Sequence, residues 1–461
     1  MISARLLRRI PQGYRPFLAR GPFRRLLPAL ALSDLGDGMS VVVVAWLALQ
    51  LAPPGAGGLL VGVAVACYVL PGAVGGPLLG RWLHGLPARR LIRADAWTRA
   101  VFLGCVPLAW ALGVLGPALY VALLAGSSVL HAWGGGAKYA LVAEVLPGGQ
   151  RLAANALLGT SAWVAMIAGP MLAGALAGVV ATPWLIGLDA LSFAVLAVRA
   201  GGAGSTGSAR GTGHAGASDQ GGASDRGGAS DRGDGDGGRA GEGLRVLRSR
   251  PELLGLLALT WLFNLFYGPV EVALPLFVGH ELKADPGLLG LYWAAFGIGA
   301  VVGALGVGVL RRLPLWPVLF GIVAGHGLAM LPFGLHGPAA LSVAGFALAG
   351  VVYGPYSALA FSLFQDLTPP AALTTVLALR ASVLLTAAPL GAALGGAVTG
   401  ALGPRPVLAG TGVAMIAVAG GAALLRARRA GPAQGPKSVT RSPSQPSSAS
   451  QSPSPAGTVR E

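Results

Sequence analysis

Apolar residues in this chain neither alternate with a period of two nor line one face of short helices. They come in long runs parted by short polar loops, and a helix needs about 20 predominantly apolar residues to cross a bilayer. Six such runs precede residue 200, at about 27–51, 58–81, 96–114, 117–140, 153–178 and 183–199. Six more follow residue 250, at about 253–278, 287–310, 316–335, 339–364, 373–401 and 406–425. The pattern predicts an all-α membrane protein of twelve transmembrane helices.

The two sets of six resemble each other. GAVGG (Gly72 to Gly76) is answered by GAVVG (Gly299 to Gly303), GAKYAL (Gly136 to Leu141) by GPYSAL (Gly354 to Leu359), and AGPMLAG (Ala168 to Gly174) by AAPLGAA (Ala387 to Ala393). Order and offset are kept, so the chain reads as two six-helix repeats. Between them the stretch 200–250 is rich in Gly, Ser, Asp and Arg, with the repeat GASDQGGASDRGGASDRG. It has too few apolar residues to offset the entropy of folding and reads as a disordered linker. The expected layout is a basic N-terminus at 1–26, a bundle at 27–199, the linker at 200–250, a second bundle at 251–426, and a Ser/Pro-rich disordered tail at 427–461.

Composition supports the membrane reading. Only 11% of residues are charged, against roughly 25% in a soluble domain, 54% are hydrophobic, and mean hydropathy is +0.68. The net charge of +16 raises nucleic acid as a partner. The basic residues, however, stand at the ends of apolar runs and are not interleaved with aromatics on a polar face, so nucleic-acid binding is set aside. Cys67 and Cys105 fall inside apolar runs and read as free packing thiols, and the scattered histidines have no metal-ligand spacing. No small-residue cleavage site follows the basic N-terminus, so no cleaved leader is expected.

Loop charge sets the orientation. Arg5, Arg8, Arg9, Arg15, Arg20, Arg24 and Arg25 precede the first run; Arg81, Arg89, Arg90 and Arg93 lie between the second and third; Lys138 and Arg151 lie between the fourth and fifth. Arg311 and Arg312 follow the eighth run, and Arg426, Arg428 and Arg429 follow the twelfth. The alternate loops are nearly free of Lys and Arg, with Lys283 and Arg405 as exceptions. The positive-inside rule then places both termini and the linker in the cytoplasm.

An ionisable residue inside a span points to function, because lipid offers it no compensation. The first span holds Asp34 and Asp37. Asn264 takes the repeat-equivalent place of Asp37 in the seventh, which also holds Glu271 between Pro269 and Pro275. Arg380 lies in the eleventh, as a pathway residue or a structural partner for a carboxylate. Asp189 reads as a helix–helix hydrogen-bond anchor, and His131 and His326 as packing histidines. The glycines Gly297, Gly299 and Gly303 sit inside an apolar helix, where small residues let helices approach closely. Their spacing is wrong for a phosphate loop. With no nucleophile–base arrangement, an enzyme is not expected, and no cofactor or metal is implied.

Several segments resemble the major facilitator superfamily, in its drug- and siderophore-exporter-like branch (enterobactin-exporter-like and macrolide-efflux-like permeases). GPLLGRWLHGLPARRLIRADAWTRA resembles the superfamily's loop motif G-x-L-A-D-R-x-G-R-R: Gly76, Leu79, Gly80, Arg89, Arg90, Asp95 and Arg99 fit, beside Arg81. His84 stands where the motif has its acid, and Pro87 where it has a later glycine. GAKYALVAEVLP and LAANAL resemble the branch's P-A-R-x-A-L-x-P-x-L-V-P and A-N-A-L, through Lys138, Ala140, Leu141, Pro147, Ala154 and Asn155, with Glu144 in the same segment. Gly169, Pro170 and Gly174 resemble an exporter-associated motif of the fifth helix.

The resemblance implies a major facilitator fold and a monomeric secondary transporter that rocks two halves about a midplane site. The expected activity is proton-coupled export of an amphipathic small molecule such as a drug, siderophore or secondary metabolite. Asp34, Asp37, Gln50, Asn264, Tyr267, Glu271 and Arg380 are the candidate coupling and substrate pathway. Gly76, Gly80, Arg81, His84, Arg89, Arg90, Asp95, Arg99, Lys138 and Glu144 are the candidate gating loop. Trp46, Trp163, Trp261, Phe263 and Phe266 are candidates for an apolar lining. A carboxylate in a dry cavity penalises its charged form and can exchange a proton as the cavity opens, which is the physical basis for antiport. His84 in place of an acid weakens the loop's latch. That departure leaves open a non-transporting assembly partner or sensor, or an importer.

Overall fold

The computed structural model describes residues 21–83, 86–146, 148–201, 245–310, 312–369 and 373–430. The first repeat contributes α1 (Gly21–Leu51), α2 (Gly57–Leu83), α3 (Ala88–Ala111), α4 (Pro117–Ser128, continued by His131–Val145), α5 (Gly148–Ala177) and α6 (Thr182–Gly201). The second contributes α7 (Pro251–Leu276, with a π-helical end at Phe277–Glu281), α8 (Pro286–Leu305 and Val307–Leu310) and α9 (Leu315–Met330, ending in a 3₁₀ turn at Leu331–Gly334). It closes with α10 (Ala339–Tyr353 and Tyr356–Leu367), α11 (Leu373–Leu385 and Ala387–Leu402) and α12 (Pro404–Ala430). Twelve helices in two sets of six are thus present, and among the described residues ten stretches are long and apolar enough to cross a membrane. The helices up to Ala423 pack as one compact unit.

Local chemistry sets the boundaries. Pro117, Pro251 and Pro286 open their helices, where the missing N–H costs nothing. Asp285 caps α8 by accepting a hydrogen bond from the Leu288 N–H at 3.2 Å. Helices α4 and α10 are both interrupted near mid-length, after Ser128 and Tyr353, as equivalent members of two repeats should be. Two placements differ from expectation. Helix α3 begins at Ala88, so Arg89, Arg90 and Arg93 belong to its first turns rather than to a loop. Lys138 lies inside α4, because the apolar run continues past it to Val145.

The turns after α1, α5, α7, α9 and α11 gather at one end of the bundle, the odd-loop end: Gly57 faces His280, Gly174 faces Gly287, and Arg405 donates to the Leu335 carbonyl. At the even-numbered helix ends Glu144 meets Ala88 and Arg250 meets Leu367. The buried core shows how the halves meet. One cluster joins the first repeat to the odd-loop end of the second, running from Val43 and Val61 through Val272, Phe277, Leu289 and Phe333 to Leu408. A separate cluster, built among the described residues from Leu247 onwards and including Leu256, Phe263, Leu319, Phe364 and Met415, fills the other end of the second half. Two glycine crossings seal the odd-loop end. A Cβ on Gly62 of α2 would lie 2.9 Å from the Ala392 carbonyl of α11, and one on Gly290 of α8 would lie 3.1 Å from Gly174 Cα of α5. Small residues let these backbones touch.

Candidate functional site

Two polar sites sit inside the bundle, one in each half, and they are built differently. In the first half the charges are mutually engaged. Helix α1 places Asp34, Asp37 and Ser40 on successive turns of one face, since residues three apart are neighbours on a helix. Asp37 forms an ion pair with Arg99 of α3, buried to 1% exposure, and accepts a hydrogen bond from the Tyr68 hydroxyl of α2 at 3.1 Å. The Arg99 guanidinium also lies 4.6 Å from the centroid of the Phe193 ring on α6. Asp34 accepts from Lys138 Nζ of α4 at 2.6 Å and from Ser161 Oγ of α5 at 3.2 Å. Charge-assisted bonds of this kind are the strong ones, and with the two hydroxyl bonds they tie α1 to α2, α3, α4 and α5.

This arrangement departs from the isolated carboxylate that Asp37 suggested among apolar neighbours. Its partner comes from another helix, 62 residues away. Four residues separate Asp95 and Arg99, so the loop-motif residues and the first-helix acids form one network instead of two separate sites. Asp95 is buried against Gly134 of α4, and its Oδ1 has no hydrogen-bond partner among the described residues. Glu144 accepts the Ala88 N–H at 3.1 Å, placing negative charge at the α3 N-terminus, where the helix dipole favours it. Gly76, Gly80 and Arg81 lie on the final turns of α2. His84 lies outside the described residues. Gly169 meets Gly38 across the α1–α5 crossing, with Pro170 and Gly174 on the same helix.

In the second half the charges inside the spans, Glu271 and Arg380, have no ion pair among the described residues. Glu271 is half-buried on α7, and among the described residues it makes no hydrogen bond or ion pair. Pro275 has no N–H to give to the Glu271 carbonyl, so the helix ladder is broken at this residue. Tyr267, one turn earlier, stacks on Tyr353 of α10 with ring centroids 6.1 Å apart. Both phenols lie within electrostatic reach of the Glu271 carboxyl. Phe296 of α8 and His326 of α9 extend this aromatic wall, and Phe263 lies 5.3 Å from His326. A carboxylate faced by aromatic rings and phenols, without a protein cation, can take a proton or receive a positively charged group.

The other candidates divide. Arg380 has no carboxylate partner among the described residues and lies over the rings of Phe361 and Phe364 at 5.4 and 5.5 Å. Asn264 turns back to the Thr260 carbonyl of its own helix at 2.8 Å, so it does not reproduce the cross-helix role of Asp37. Gln50 is exposed at the odd-loop end of α1. Among the proposed lining residues, Trp46 and Phe263 are buried, Phe266 is half-buried and Trp163 is exposed, while Trp261 donates to Thr386 Oγ1 at 3.2 Å. Tyr68, Ser161 and Tyr353 were not visible as site residues. A lone hydroxyl or aromatic within an apolar run carries no signal until its neighbours are known. Arg405, one of two exceptions to the loop-charge rule, is neutralised by Glu281 at 2.6 Å and donates to the Phe333 carbonyl.

The Major Facilitator Superfamily model matches residues 26–384, most of the chain. The chain belongs to that superfamily. It is 29% identical over 430 residues to an uncharacterized MFS-type transporter of Sinorhizobium fredii, covering 91% of this chain and 96% of the relative. It is also 29% identical over 403 residues to the multidrug efflux pump Tap of Mycobacterium tuberculosis, covering 83% of this chain and 88% of the pump. Among solved structures, a bacterial homologue of the lysosomal transporter Spinster aligns with a TM-score of 0.63 at 13% identity, over 90% of this chain and 98% of the other. A bacterial homologue of the iron transporter ferroportin aligns with a TM-score of 0.61 at 17% identity, over 87% and 98%. These structural likenesses establish the fold. The protein is therefore a multi-pass membrane transporter rather than an enzyme.

Proposed function

We propose that this transporter is a proton-coupled exporter of an amphipathic small molecule, working by alternating access in the cytoplasmic membrane with both termini and the linker inside. The observation that carries the proposal is Glu271, a carboxylate within a membrane-length helix that has no ion pair among the described residues, beside Tyr267 and Tyr353 in an aromatic wall. A group so placed binds a proton or a cationic substrate in competition, which is the minimum requirement for antiport. Tap's description as a multidrug efflux pump favours export over import. With basic loops inside, the sealed odd-loop end faces outwards, and the conformation is inward-facing.

Overexpression in an efflux-deficient strain, screened for growth against a broad compound panel, identifies substrates. Everted vesicles holding a pH gradient then test coupling. Each compound that gains resistance should dissipate the gradient when added. Resistance without gradient dissipation would sink proton coupling, and a fully negative panel with normally inserted protein would favour the non-transporting reading.

A further inference from the structure

Among the described residues, the first-half network contains more carboxylates than cations paired with them. Four carboxylates lie among α1, α3 and α6: Asp34, Asp37, Asp95 and Asp189, against Arg99 and Lys138. Lys138 is engaged by Asp34 and Arg99 by Asp37. Asp189 is 1% exposed and has no ion pair among the described residues. A bare carboxylate in such a place costs several kcal/mol, so it is neutralised instead.

The groups around Asp189 are arranged for a neutral carboxyl. Ser40 Oγ of α1 donates to its Oδ2. Ser192 Oγ lies 2.7 Å from the Asp189 backbone carbonyl and 3.4 Å from Asp189 Oδ1. A hydroxyl has one proton, and the shorter bond takes it, leaving a lone pair facing Oδ1. A protonated Oδ1 supplies the donor that this lone pair lacks. The Asp37 carboxylate and the Arg99 guanidinium both act on Asp189. Arg99 Nε is buried with no hydrogen-bond partner among the described residues, so the guanidinium has a donor to spare for a second carboxylate. Facing the same interior are Tyr68 from α2, Asp95 from α3, and His131 and Lys138 from α4.

We propose that Asp189 is a second proton-binding carboxylate of this transporter, alternating with Asp37: the acid that pairs with Arg99 is ionised and the other holds the proton. In the present conformation Arg99 pairs with Asp37, and Asp189 carries the proton. When α1 shifts, Arg99 moves to Asp189, whose proton leaves to cavity water, and Asp37 takes one up. This deepens the proton-coupling proposal but rests on different residues from Glu271, so the two can fail separately.

The test uses the full chain reconstituted in lipid and the proton alone as ligand. Infrared difference spectra across a pH titration report buried carboxylic-acid C=O stretches. Asp189→Asn should remove one such band and Glu271→Gln a different one. Should Asp189→Asn fail to insert, Ser40→Ala gives a second readout: loss of its hydrogen bond should shift the Asp189 band and leave the Glu271 band in place. An unchanged spectrum in Asp189→Asn, or in Ser40→Ala where that variant must be used, would overturn the assignment. Loss of the Glu271 band alone would leave Glu271 as the proton site without Asp189.

Discussion

Arg99→Met removes the cation at the centre of the first-half network while keeping an unbranched side chain of similar reach. Asp37 then faces no guanidinium, with Asp95 and Asp189 close by. Breaking a buried pair by deleting one partner costs about 3–5 kcal/mol. Arg99 is 1% exposed but Asp37 keeps 26% of its side chain accessible, so a loss near the lower end, about 3 kcal/mol, is expected. For a folding unit of this size, about 2–4 °C is lost per kcal/mol, giving a drop in Tm of about 6–12 °C. The paired change Arg99→Met with Asp37→Leu deletes both charges and should recover the loss to within about 1 kcal/mol. Cys67 and Cys105 are free and partly buried in α2 and α3, so a thiol-reactive dye reports opening of this half directly. An unchanged Tm in Arg99→Met, or a double variant as unstable as the single one, would show that the pair does not organise the half.

Three further outcomes follow from other contacts. Gly62→Leu places a branched side chain where the Ala392 carbonyl lies 2.9 Å from its Cβ position; spin labels at Pro54→Cys and Leu402→Cys should report a wider odd-loop end, and an unchanged distance would mean that this seam is no gate. Arg405→Leu removes the Glu281 pair and the bond to the Phe333 carbonyl; partial exposure limits the cost to about 1–2 kcal/mol, or roughly 2–8 °C in Tm, while transport in surviving protein should persist. Protease should cut the 200–250 linker in inverted vesicles and spare it in sealed right-side-out ones, and cleavage from outside would reverse the proposed orientation.

The fold was legible because the length and number of the apolar runs suffice for it. Each expected run became a helix, with shifts of up to eight residues where Arg89, Arg90 and Arg93 joined the first turns of α3 and where α4 ran on past Lys138. Pairing was not legible. A helix rich in Gly and Ala, such as α1 or α4, presents no strongly one-sided pattern, so the sequence does not tell which face meets which neighbour. Asp37 therefore looked solitary until Arg99 came alongside, and Asn264 looked equivalent until it bonded to its own backbone. Glu271 lies inside a helix long and apolar enough to cross a membrane, as its run suggested, but its aromatic surroundings were not foreseen. Tyr353 and His326 come from α10 and α9 and looked like ordinary core residues in their own runs.

The proton-coupling claim is tested most directly by Glu271→Gln in proteoliposomes, using a compound selected by the growth panel. Glutamine keeps the shape and hydrogen-bonding capacity at this site but removes its titration. The account predicts that the variant still exchanges labelled compound across the membrane at equal concentrations, yet no longer accumulates it against a gradient when a pH difference is imposed. Undiminished pH-driven accumulation by Glu271→Gln would contradict the account.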